Sequence, residues 1–244
     1  MTTVAYARFE LLRVLRNRRF VFFALGFPLV MYLLIAGSNQ GEDDLSGSGL
    51  SAPLYFMVSM VAWGTMMAML STGARIASER AIGWNRQLRI TPLSARFYLL
   101  TKVATGYAMA LLAMVVMYVA GAALGVRLEA GRWIAMSLML LLGIVPFAAL
   151  GILLGHLVST DSLGPVMGGG VGLLAFVSGF WFPLDDGVLR DVGEQLPSYW
   201  LVQAGHIGLG GDGWPAHGWI VLGAWTAVLG LLAARAYRRD TGRV

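Results

Sequence analysis

The chain has 244 residues, 57% of them hydrophobic and only 13% charged, with 18 Lys or Arg against 13 Asp or Glu and no cysteine. A water-soluble domain carries about 25% charged residues, so this composition excludes a soluble globular protein and indicates a membrane protein. The missing cysteines exclude disulfides and thiolate metal sites.

In chain order, residues 4–19 come first. Val4, Ala7, Leu11, Val14 and Leu15 fall on one helical face, with Glu10, Arg13 and Asn17 opposite. Arg18 interrupts the apolar stripe. The pattern predicts a helix lying in the membrane interface; the alternative is a basic segment that only sets topology.

Six charge-free runs follow, at 20–37, 52–74, 103–126, 133–159, 162–184 and 218–234. About 20 apolar residues cross the hydrocarbon, and the helix satisfies its own backbone there. The chain is therefore expected to be all-α and polytopic, a single transmembrane domain over residues 1–244 with six spans. Pro28, Pro146 and Pro165 are expected to kink or start helices. The first run is read as a span rather than a cleaved signal, because it lacks a small-x-small site and five more runs follow.

The connections differ in character. SNQGEDDLSGSG, after the first run, reads as a flexible acidic loop. Residues 185–216 are too apolar for a solvated loop. Short helices there are expected to dip into the outer leaflet and bury Leu196, Tyr199, Trp200, Leu201 and Ile207, the second starting at Pro197. In the fifth run Gly164, Gly168 and Gly172 recur every fourth residue, which lets two helix backbones approach closely, within one chain or between subunits.

Counting basic residues orients the chain. Fifteen of the 18 lie in the N-terminal segment, the 75–102 connection and the tail, which fall on one side if there are six spans. Both termini are thus expected in the cytoplasm, and the basic charge is expected to meet anionic lipid rather than nucleic acid.

Enzyme chemistry finds little footing. His156, His206 and His217 are scattered, and no H-E-x-x-H spacing occurs. Asp185 and Asp186 read as a turn or cap, and Asp161 as a helix cap. A proton- or sodium-driven carrier usually holds a carboxylate inside the membrane, yet none of the six runs contains Asp, Glu, Lys or Arg. The chain also lacks a G-x-x-x-x-G-K-[ST] loop. Energy for uphill transport would then enter from outside the bilayer, and a separate ATPase, if that is the source, would need a handle on the cytoplasmic face.

The candidate handle is SERAIGWNRQLRITPL at 78–93. A helix is expected from Ser78 to Ile90, with Trp84, Leu88 and Ile90 to plug a groove and Glu79 and the arginines to pair with a partner's charges. Pro92 ends it. The alternative is a solvated basic loop.

These residues resemble the membrane subunit of ATP-binding-cassette exporters of the type-two permease family, which includes daunorubicin-type drug exporters. The resemblance rests on Glu79-Arg80, Gly83-Trp84, Arg86-Gln87-Leu88-Arg89 and Thr91-Pro92-Leu93-Ser94, with NRRF at 17–20, GFWFPLD at 179–185 and LPSYWLVQA at 196–204. Ala81 stands where many members carry a charge.

The resemblance implies a coupling helix with Glu79, Arg80, Gly83, Trp84, Arg86, Leu88 and Arg89 against the ATPase. It also implies two ATPase chains holding ATP and Mg, a second permease half, no cofactor in this chain, and residence in a bacterial inner membrane. It places the substrate path beside spans two and five. There Phe56, Met60, Trp63 and Met67, with Phe176 and Phe180, recur at helical spacing; plain helix packing is the alternative. The expected function is outward movement of a lipophilic or amphipathic, drug-type compound. Export of lipid-linked glycans and a non-transporting scaffold are the alternatives.

Overall fold

The computed structural model describes residues 3–39, 41, 49–84, 87, 94–209 and 213–241. Every described element is helical, with no strand among the described residues. Five helices are long and apolar enough to cross a membrane: Ala52–Ala81, Arg96–Ala123, Ala130–Leu157, Thr160–Val177 and Ala216–Asp240, joined by a shorter apolar helix, Ala24–Ser38. The all-helical, polytopic expectation therefore holds. The acidic loop falls largely on residues 40 and 42–48, outside the described ones.

Helix α1 is Thr3–Leu15 and α2 is Arg18–Val21. A π-helical turn, Phe22–Gly26, leads into α3, Phe27–Ser38. Pro28 has no N–H to offer the preceding turn, and the widened turn sits directly ahead of it, with the Phe27 N–H bonded to the Phe22 carbonyl. The expected proline kink thus takes the form of a π turn.

Helix α4, Ala52–Ala81, is the centre of the bundle and is almost wholly buried. It packs on α3, on α5 (Ala95–Ala123) and on α7 (Val145–Leu157). Helix α6, Ala130–Gly143, meets α7 at Ile144, just before Pro146. Helix α12, Ala216–Thr241, lies against α7. Outward faces remain apolar, as lipid requires: Val30, Leu34, Val115, Val119, Ile134 and Leu138 are all exposed.

The crossing of α4 and α7 is glycine-made. A Cβ at Gly73 of α4 would stand 2.2 Å from the carbonyl oxygen of Gly151 on α7, and one at Gly155 would stand 2.9 Å from the Gly73 oxygen. Only hydrogen fits there. Gly164, Gly168 and Gly172, which the sequence singles out, have open space around them. Tight packing within one chain is therefore not their role.

Helix α8, Thr160–Pro165, is capped by the Ser159 side chain, which accepts from the Ser162 N–H. Asp161 sits in its first turn instead of at the cap, where the helix dipole favours it. Helix α9 is Val171–Val177. The 185–216 connection forms α10, Val188–Gly193, and α11, Pro197–Gln203, then a 3₁₀ turn, Ala204–Leu209, against α6. Tyr199, Trp200, Leu201 and Ile207 are buried as expected, Leu196 is only half-buried, and Pro197 opens the second helix.

Candidate functional site

A helix of 30 residues rises about 45 Å, more than the roughly 30 Å of hydrocarbon. The end of α4 therefore carries Arg75, Glu79 and Arg80 as helical residues, not as parts of a connection. Helix α5 likewise begins before Lys102. The connection expected at 75–102 shrinks to residues 82–94. Its charged flanks face each other across the two helices.

Residues four apart share a helix face. Arg75 and Glu79 do so on α4, Tyr98 and Lys102 on α5, and Tyr6 and Glu10 on α1. These three faces meet. The Lys102 ammonium lies 2.6 Å from a Glu79 carboxylate oxygen and 2.6 Å from one of Glu10. Arg13 donates to the same Glu79 oxygen at 2.7 Å, and the Tyr98 hydroxyl donates to the other at 2.6 Å. The Arg75 guanidinium is 3.6 Å from Glu10. Glu79 and Lys102 are 0% exposed. Burial, and then the negative Glu10 and Glu79, push the Tyr6 phenol up from its ordinary range.

This arrangement corrects the reading of α1. Glu10, expected opposite the apolar face, is turned into the bundle beside Val14 and Tyr6, while Phe9, Leu12 and Leu15 are exposed. The apolar side chains point outward, and the cations of α4 and α5 surround the carboxylate.

Adjacent helical residues point about 100° apart. Arg80 consequently reaches the opposite side from Glu79. Its guanidinium lies 2.7 Å from Asp240 near the end of α12, donates to it at 3.1 Å and donates to the Gly155 carbonyl of α7 at 3.0 Å. His156 Nδ1 lies 3.0 Å from Asp240, and the His156 ring packs edge-on against Tyr237. The last turn of α4 is thus held on one side by α1 and α5, and on the other by α7 and α12.

Directly beyond this clamp the chain turns. Gly83 has φ +70°, in the left-handed region, and its N–H bonds the Arg80 carbonyl. Ser78–Ala81 therefore belong to α4, and the helix expected over 78–90 is interrupted at Ile82–Gly83. Helical backbone resumes at half-buried Trp84. Arg86, Leu88 and Arg89 lie outside the described residues. Glu79 and Arg80 face inward, so their charges are taken by this chain rather than offered outward. Ile82, which sequence reasoning passed over, is 70% exposed at the turn.

The path residues separate into two groups. Phe56, Met60, Trp63 and Phe180 are buried within the chain, where Trp63 meets Phe180 edge-on at 6.2 Å and also packs on Phe27 and Trp181. Packing accounts for them in this conformation, because α4 is the central helix and is buried over most of its length. Met67 is half-buried, and Phe176 is 49% exposed against Phe182.

Sequence reasoning missed Glu10, Arg75, Tyr98, Lys102, His156 and Asp240 as partners. The signals that could have found them are the i, i+4 spacing on each helix and the single lysine, placed beside an apolar run.

A family model described as ABC-2 family transporter protein matches residues 39–235. The chain is also 29% identical over 195 residues, 78% of each chain, to the Bacillus subtilis (strain 168) protein named "Putative transport permease YvfS". No solved structure matches.

Proposed function

The chain belongs to the ABC-2 family of transporter proteins, which makes it a membrane transport subunit, and from that membership we propose an ATP-driven exporter whose ATPase is a separate chain. Two ATPase subunits, loaded with ATP and Mg, dock on the 82–93 segment. A second permease half, identical or homologous, completes the pathway. Both termini and the docking segment face the cytoplasm of a bacterial inner membrane. The cargo is a lipophilic or amphipathic compound that leaves the cell.

The observation that carries this reading is the two-sided clamp at the end of α4. Docking segments transmit force only if their root is stiff. Here the root is a buried ion cluster on one side and the Arg80–Asp240 pair on the other. A push on Trp84 or Ile82 would move α4, the central helix, with α5 and α7 attached. The outward-facing Gly164, Gly168 and Gly172 offer the second half a surface of close approach. Exposed Phe176 and half-buried Met67 are the path residues that packing within the chain leaves open to a cargo.

The test is co-purification with an ATPase chain, followed by ATP hydrolysis in proteoliposomes with candidate compounds. Trp84→Ala is expected to lower cargo-stimulated hydrolysis while the protein stays folded. A chain that never retains an ATPase, or turnover unaffected by Trp84→Ala together with Ile82→Ala, would remove the docking reading.

A further inference from the structure

The cluster at the end of α4 is unbalanced. Three cations, Arg13, Arg75 and Lys102, meet two carboxylates, Glu10 and Glu79. Lys102 and Arg13 take the short bonds. Arg75 is left with the 3.6 Å approach to Glu10, and all three of its guanidinium nitrogens are buried with no hydrogen-bond partner among the described residues. A buried guanidinium with five unmet donors is costly, and an acceptor of negative charge is what relieves it.

Space for such a group adjoins it. A cavity of about 180 Å³ is lined by Arg13, Asn17, Ser71, Arg75 and Ser78, with Val14 and Ala74. Two arginines and an amide bring N–H groups to this wall, the Ser71 and Ser78 hydroxyls already donate to the Ala68 and Ala74 carbonyls, and no carboxylate lines it among the described residues. No acid occurs in residues 80–93 to supply one from the neighbouring segment. The cavity lies between α1 and α4, and α1 exposes Phe9, Leu12 and Leu15 to the apolar surroundings. That is the depth at which an interfacial helix meets lipid headgroups.

We infer that this cavity is an anion site that takes a phosphate group, with a modest turn of Arg75 presenting its planar fork to two phosphate oxygens. The phosphate comes from an anionic lipid headgroup or from free inorganic phosphate. The chemistry is the same, and the experiment separates the sources.

The full chain is purified and exchanged into detergent with phosphatidylglycerol, with phosphatidylcholine, or with inorganic phosphate against chloride at equal ionic strength. Native mass spectrometry counts bound lipid, and thermal unfolding reads free phosphate. One phosphatidylglycerol retained in preference to phosphatidylcholine identifies the headgroup; a rise in Tm with inorganic phosphate alone identifies the free ion. In either case Arg75→Met is expected to weaken binding about tenfold or more, and Arg75→Lys by less, since one ammonium cannot make the bidentate contact. Should Arg75→Met fail to fold, Ala74→Leu fills the cavity while leaving every member of the ion cluster in place, and is expected to give the same loss. Equal retention of both lipids with no phosphate response, or binding that Arg75→Met or Ala74→Leu leaves unchanged, would overturn the site.

Discussion

Lys102 and Glu79, 23 residues apart in sequence, meet at 2.6 Å with both side chains closed off from the surface. Each sits at the end of a long helix, so their pairing fixes how α4 and α5 are rotated against one another. Glu10 of α1 shares the same ammonium and adds the third element.

Lys102 makes the short contact to both carboxylates, and without it Glu10 keeps only the longer approaches of Arg75 at 3.6 Å and Arg13 at 3.8 Å. Lys102→Met is expected to cost about 3–5 kcal/mol, read as a lower unfolding temperature in detergent. The double variant Lys102→Met with Glu79→Gln should recover part of that loss. A strictly additive double variant would show that the pair is not coupled.

The outer side of the clamp is worth less. Arg80 and Asp240 are 28% and 27% exposed, so solvent screens them. Asp240→Asn is expected to cost about 1 kcal/mol or less. Its larger effect falls on coupling, measured as cargo-stimulated hydrolysis by the bound ATPase.

Two glycine substitutions should separate sharply. Gly73→Ala drives a methyl group to 2.2 Å from the Gly151 oxygen, forcing α4 and α7 apart at a cost of about 3 kcal/mol or more. Gly168→Ala meets nothing within the chain and should leave the Tm unchanged. If a second half seats there, Gly168→Leu will reduce the permease pair seen by cross-linking or size analysis.

Trp63→Ala is not a clean probe of the path. Its ring packs on Phe27, Phe180 and Trp181 inside the chain, so truncation opens a cavity costing about 3–5 kcal/mol. Phe176→Ala removes an exposed ring and should leave folding intact. Export that falls in the Phe176 variant at normal expression would assign that face to the cargo; unchanged export would clear it.

At Gly83 the left-handed backbone disfavours any side chain by about 1–2 kcal/mol. Gly83→Ala should therefore shift the direction in which Trp84 leaves the clamp. Reduced ATPase retention with only a small loss in Tm is the expected outcome of a co-purification assay.

Much of the fold was legible in the chain. Runs of apolar residues predicted the helices, and Pro197 announced the start of α11. The 185–216 connection declared its burial through Trp200 and Leu201. The site was less legible. Residues 78–81 read as part of a docking helix because charge resumes there, yet the helix of span two simply continues through them. Gly164 and its repeats advertised close packing, while Gly73, Gly151 and Gly155 supply it.

What the sequence determined by itself was the membrane class, the helical architecture and the presence of a charged connection after the second apolar run. Each depends on the local sum of about 20 neighbouring side chains. Only the tertiary structure decided that Glu79 and Arg80 face inward, that Glu10 lies in the bundle, and that Trp63 is core. The reason is that a charge at a helix end is neutralised by partners 23 to 160 residues away, and which partners they are depends on helix length and rotation. No local pattern of apolar and polar residues carries that information.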